Sequence, residues 1–143
     1  MSVFAADSTP LWISQLLASS WLWILVRIVL TSAYWVGGLQ KVLNWKGAVA
    51  ECESFHLRPA RLIAALTILV ELGGSALIIS GVLVWLGAGA LGVFTLFATL
   101  IAFPFWTKSA AERTKMLNGF CEHLGLVAAL ALVAIVDALK TGM

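Results

Sequence analysis

Charge is scarce in this chain: nine Lys or Arg and seven Asp or Glu are spread over 143 residues, 62% of which are hydrophobic. With a mean hydropathy of +1.01, that excludes a water-soluble domain of ordinary composition. A net charge of +2 leaves no electrostatic footprint for nucleic acid, so nucleic-acid partners are set aside. Two cysteines, Cys52 and Cys121, supply neither a CxxC pair nor a disulfide framework. Lys and Arg are missing from Met1 to Ser20, so the basic n-region of a signal peptide is lacking and the first apolar segment is expected to be retained. There is no P-loop and no GxSxG nucleophile elbow. The glycines of Gly87-Ala88-Gly89-Ala90-Leu91-Gly92 do spell GxGxxG, but inside an apolar run and not between a strand and a helix, so they are no dinucleotide fingerprint.

What is present is four long apolar runs, at about Trp21 to Leu43, Ala60 to Ile79, Val82 to Phe103 and Phe120 to Leu139. Each is close to the ~20 residues of a helical membrane span. Their Leu, Ala and Val content without period-2 alternation disfavours a β-barrel. The fold class is therefore all-α: an antiparallel bundle of four transmembrane helices forming a single membrane domain. Thr9-Pro10 reads as a helix start, so Leu11 to Ser19 is expected to form a short interfacial helix before the first span. Ser80-Gly81 is the break between the second and third runs and predicts a tight helical hairpin. The other connections, Asn44 to Pro59 and Phe105 to Gly119, are polar.

Lys41, Lys46, Arg58, Arg61, Lys108, Arg113 and Lys115 all fall on the side of the polar connections, against Lys140 alone on the other. The positive-inside rule then predicts cytoplasmic connections and both termini outside, which is periplasmic for a cell inner membrane. Trp12, Trp21, Trp23 and Trp85 mark one boundary and Trp45 and Trp106 the other, leaving Trp35 in mid-span.

Ionisable residues inside such runs are the place to look for function. Arg27, Glu71 and Glu122 qualify, with Lys41 and His123 beside them. Similar depths suggest an Arg27–Glu71 pair and, at the opposite rim, a Lys41–Glu122 pair. Either pair can be a structural staple that fixes helix register. Alternatively, Arg27, Lys41, Glu71, Glu122 and His123 form a buried polar centre that binds a ligand. Cys52, His56, Cys121 and His123 are metal-ligating types, yet nothing in the sequence makes their segments meet and adjacent helical residues point ~100° apart, so no metal site is expected. Small residues at Gly73-Gly74-Ser75-Ala76 and in the third run read first as helix-packing seams.

Arg27-Ile28-Val29-Leu30 followed by Gly37-Gly38-Leu39-Gln40-Lys41 resembles the first-helix pattern of the DoxX family. Glu71-Leu72-Gly73-Gly74-Ser75-Ala76-Leu77 with Gly81 resembles its second helix, and Phe105-Trp106 with Phe120 its third-to-fourth connection. Together these cover about Val26 to Ala131. In the fourth helix, Glu122-His123-Leu124 stands where many members carry Lys-Asn-Leu, which reverses a charge. The resemblance implies a small four-helix inner-membrane protein, in a family named for a subunit associated with thiosulfate:quinone oxidoreductase. The function expected from it is an accessory subunit of a membrane redox system that holds a quinone or other hydrophobic small molecule among the buried charges. Its partners would be the lipid bilayer and a membrane oxidoreductase subunit or a second copy of itself. The alternative is a non-enzymatic membrane scaffold or assembly chaperone acting through the small-residue faces.

Overall fold

The computed structural model describes residues 9–142, and among them all regular structure is helical. Seven α-helices run in order: α1 (Leu11–Ala18), α2 (Ser20–Leu30), α3 (Ser32–Leu43), α4 (Trp45–Ser54), α5 (Ala60–Ser80), α6 (Val84–Ala102) and α7 (Ala110–Thr141), with a 3-10 turn at Phe105–Thr107. Three segments are long and apolar enough to cross a membrane: Ala60–Ser80, Val84–Thr107 and Ala110–Thr141. A fourth follows if α1 and α2, which meet at a 61° bend, count as one span. That bend lies at Ser19, where the sequence places the boundary of a short N-terminal helix. Pro10, not Thr9, is the capping residue of α1, and no side chain bonds the first amides.

The first expected span, Trp21 to Leu43, is not one helix: it breaks at Thr31 into α2 and α3. The Thr31 hydroxyl donates back to the Arg27 carbonyl at 2.8 Å, a bond that tends to bend helices. The Trp35 indole N–H donates to the Ile28 carbonyl at 3.3 Å and so competes for an acceptor of the helical ladder. Mid-span Trp35 thus has a local partner at the break. The polar connections are also more ordered than their composition suggests. Residues 45–54 form α4, whose first turn is capped by the Asn44 side-chain oxygen accepting from the Gly47 amide at 3.1 Å. The start of α7 precedes its apolar run by ten residues, because Ala110 to Leu117 is rich in strong helix formers and Glu112 favours the positive end of the helix dipole.

The expected hairpin joins α5 to α6. Gly81 ends α5 at φ +78°, a conformation glycine adopts without strain, and Leu83 takes φ +49° just before α6. Close to this turn the two helices nearly touch: a Cβ on Gly87 would stand 2.8 Å from the Gly74 carbonyl oxygen. The core lies in this half of the bundle, where Tyr34, Ile78, Val84, Ala88, Leu91, Leu130 and Val133 are buried together. α5 is central, packing on α2, α3, α4 and α6, while α7 packs on α6 and reaches α2. We call this the hairpin end of the bundle and the opposite one, with α4 and the 3-10 turn, the polar end.

Candidate functional site

Towards the polar end both arms of the α5–α6 hairpin line a cavity of about 560 Å³. Such a volume lies within the ~300–1,000 Å³ of small-molecule sites. The arms contribute Thr67, Val70 and Glu71 from α5 and Phe94, Thr95 and Ala98 from α6; α3, α4 and α7 complete the wall with Tyr34, Lys41, Cys52 and His123 among others. Most of this lining is apolar, so its few polar groups define the chemistry.

The strongest of these is an ion pair. The Lys41 ammonium donates to both carboxylate oxygens of Glu71, at 2.9 and 3.0 Å, with side-chain exposures of 24% and 7%. Lys41 reaches Glu71 because α3 lies close to α5. Gly38 admits Leu72 where a Cβ would stand only 2.7 Å from it, and Gly37 leaves the pair room, its own Cβ position lying 3.5 Å from Nζ. Two of the three ammonium protons are used within the protein, which leaves the third for an acceptor on a ligand. Deeper in, the Tyr34 hydroxyl and Thr95 hydroxyl meet at 2.6 Å. Thr95 also donates to the Leu91 carbonyl at 2.6 Å, so the Tyr34 hydroxyl is the donor of the pair and Thr95 the acceptor.

His123 enters the wall from α7, one turn beyond Gly119, whose carbonyl is 2.8 Å from the imidazole Nδ1. A carbonyl only accepts, so Nδ1 carries the proton and in the neutral ring Nε2 remains an acceptor. The Phe103 ring packs against this imidazole at a tilt of 48°, with centroids 4.8 Å apart. Phe105, Trp106 and Phe120 form an edge-to-face cluster nearby, centroids 5.1–6.5 Å apart, that ties the 3-10 turn to α7. On α4, burial pushes the Cys52 thiol above its ordinary value, with the neighbouring Glu51 carboxylate adding to the effect and Lys41 opposing it.

A second charged centre occupies the hairpin end. Arg27 Nη2 donates to Asp137 Oδ1 at 2.8 Å, joining α2 to α7, with side-chain exposures of 8% and 21%. The guanidinium lies 5.1 Å from the Trp23 ring centroid and the Lys140 ammonium 4.3 Å from the same ring. Gly81 completes the enclosure, since a Cβ there would meet Arg27 Nη1 at 2.8 Å. Arg27 Nε is buried and has no partner among the described residues.

The charges singled out in the sequence therefore divide differently from the suggested pairing. Arg27 and Glu71 are not partners but belong to separate centres, and Lys41 binds Glu71 instead of Glu122. Glu122 is exposed, while His123, one residue on and turned ~100° around α7, lines the cavity. Cys52 also lines it and Cys121 is exposed; among the described residues no three His, Cys, Asp or Glu side chains gather as metal ligands. Depth alone misled the pairing, because it says nothing about which helices are neighbours. Asp137 was the overlooked residue. Its signal was present, as an acid near the hairpin-side end of the fourth run, at the depth of Arg27. Tyr34 and Thr95 carried none, being ordinary residues for their positions.

The family model described as DoxX matches residues 22–104, more than half of the chain. The matched region holds Arg27, Lys41 and Glu71 and stops before α7, which supplies Asp137 and His123. No curated protein and no solved structure matches the chain. The chain belongs to the DoxX family.

Proposed function

We propose that this DoxX-family membrane protein is an accessory subunit of a membrane redox system and holds a quinone or similar hydrophobic small molecule in the cavity between α5 and α6. The observation that carries the reading is the Lys41–Glu71 pair set in the wall of an otherwise apolar cavity of ligand size. Buried charge is unfavourable in a bilayer, and its placement on a cavity gives it a use beyond stapling helices. The free proton of Lys41 would donate to a ligand carbonyl, and His123 Nε2 would accept from a hydroxyl. A quinone offers the first group and its reduced form the second. The redox setting rests on the family, not on the geometry. The excess of Lys and Arg in the polar connections supports a cytoplasmic position for the polar end and the cavity.

Mass spectrometry of the molecules that accompany the purified protein tests this. One stoichiometric compound is expected with the native chain, and it should be lost from Lys41→Met while the protein still assembles in the membrane. Recovery of no compound from the native chain would overturn the reading. A scaffold role has one specific observation behind it: Cβ positions on Gly89 and Gly92 of α6 and Gly125 of α7 meet open space, so another helix could approach there. Co-purification of one defined membrane protein, abolished by Gly89→Leu, is the outcome that reading requires.

A further inference from the structure

The cavity has two unlike margins. On the bundle side its wall is buried, at Tyr34, Ala64, Glu71 and Thr95. On the other margin Leu66 of α5 is 49% exposed and Phe97 of α6 is 62% exposed, and both still line the cavity. Gly74 and Gly87 bring the arms into close approach near the turn, and towards the polar end residues of both arms line the cavity, with Leu66 and Phe97 on its exposed margin. Leu66 lies six residues from the start of α5 and Phe97 five from the end of α6. At 1.5 Å per residue these positions are roughly 7–9 Å into the helices, within the ~15 Å half-thickness of the hydrocarbon. A slot at that depth between Leu66 and Phe97 would face acyl chains, with Glu71 on the buried side of the cavity.

We infer that the cavity takes a head-and-tail amphiphile, whose polar ring seats against Lys41–Glu71 and whose aliphatic tail leaves through the slot between Leu66 and Phe97 into the bilayer. This rests on the reading that the cavity is a ligand site and adds the form of the ligand and its route. A tail in the slot exchanges acyl neighbours for Leu and Phe side chains, so it gains little by burial. What it needs is an unobstructed path, and the slot is therefore a determinant of which molecules fit.

The test uses the full chain in lipid nanodiscs and two probes: a benzoquinone with a ten-carbon tail and the same ring without a tail. Leu66→Trp/Phe97→Trp narrows the slot, and Leu69→Trp, at a 66% exposed position that does not line the cavity, serves as control. The double variant is expected to bind the tailed probe at least about tenfold more weakly and the bare ring within about twofold of the native protein, with the control unchanged for both. Equal responses of the two probes to the double variant, or the same loss in the Leu69→Trp control, would overturn the inferred tail route while leaving a ligand site intact. Binding of neither probe by the native chain would remove the ligand reading itself. A thermal melt of each variant separates a blocked slot from a failed fold. A photoreactive group at the tail end gives a second readout: adducts at Leu66 or Phe97 support the route, and adducts at Phe55 or Leu57, the polar-end lining, contradict it.

Discussion

Asp137→Ala isolates the energetics of the hairpin-end ion pair, because it leaves a buried guanidinium without its carboxylate. The Arg27 side chain is only 8% exposed and already has one buried N–H without an acceptor among the described residues. Removing one member of a buried pair typically costs about 3–5 kcal/mol. Asp137 is 21% exposed near the end of α7, so water can reach part of the site and a loss of about 2–4 kcal/mol is expected. Arg27→Met should cost less, about 1–2 kcal/mol, since the carboxylate left behind is the more exposed partner and methionine keeps most of the packing against Trp23. The double variant should be less destabilised than the sum, with a coupling of about 1–3 kcal/mol. SDS titration of the reconstituted protein, followed by tryptophan fluorescence, measures all four species of the cycle. Additivity within about 0.5 kcal/mol would mean that the two residues do not sense each other, and the assignment of this pair as the α2–α7 clasp would be wrong.

Three further outcomes are expected. Gly87→Ala puts a Cβ 2.8 Å from the Gly74 carbonyl, where backbone must move, and should destabilise by about 1–3 kcal/mol in the same titration; Gly89→Ala, with open space at its Cβ, should be neutral or slightly stabilising. Gly81→Ala is doubly opposed, by φ +78° and by Arg27 Nη1 at 2.8 Å, and should cost about 1–2 kcal/mol from the backbone alone, with a changed Trp23 emission if the guanidinium is displaced. In a Cys121→Ser background, Cys52 should react slowly with a maleimide at neutral pH, because a thiol pKa raised by burial leaves little thiolate. Its rate should keep climbing with pH beyond the point where an ordinary thiol levels off, and a plateau near the usual thiol pKa would contradict the burial.

The helices of this bundle follow from local and compositional physics. In hydrocarbon a backbone must satisfy its own hydrogen bonds, so apolar runs of about twenty residues become helices wherever they lie, and α5 and α6 fall within two residues of the runs that predict them. Ser80-Gly81 marks the hairpin for an equally local reason, since glycine accepts the left-handed turn. The break at Thr31 was less visible, because it depends on the Thr31 hydroxyl and the Trp35 indole both turning back on the helix. The early start of α7 was hidden by polarity, which separates membrane from water but does not separate helix from loop.

By itself, then, the order of residues determined apolar helices long enough to span a membrane, their hairpin, and three of the four charged residues that pair, Arg27, Lys41 and Glu71; it also offered Glu122, which is exposed, and passed over Asp137. Only the tertiary structure decided how those charges combine. Pairing depends on which helices stand side by side and on the angle each side chain takes around its axis, and depth along the chain fixes neither. Gly38 brings α3 against Leu72 on α5, which gives Glu71 to Lys41; α7 packs beside α2, which gives Arg27 to Asp137. The cavity has the same origin. Its wall is assembled from α3, α4, α5, α6 and α7, so it appears only when all five helices are in place.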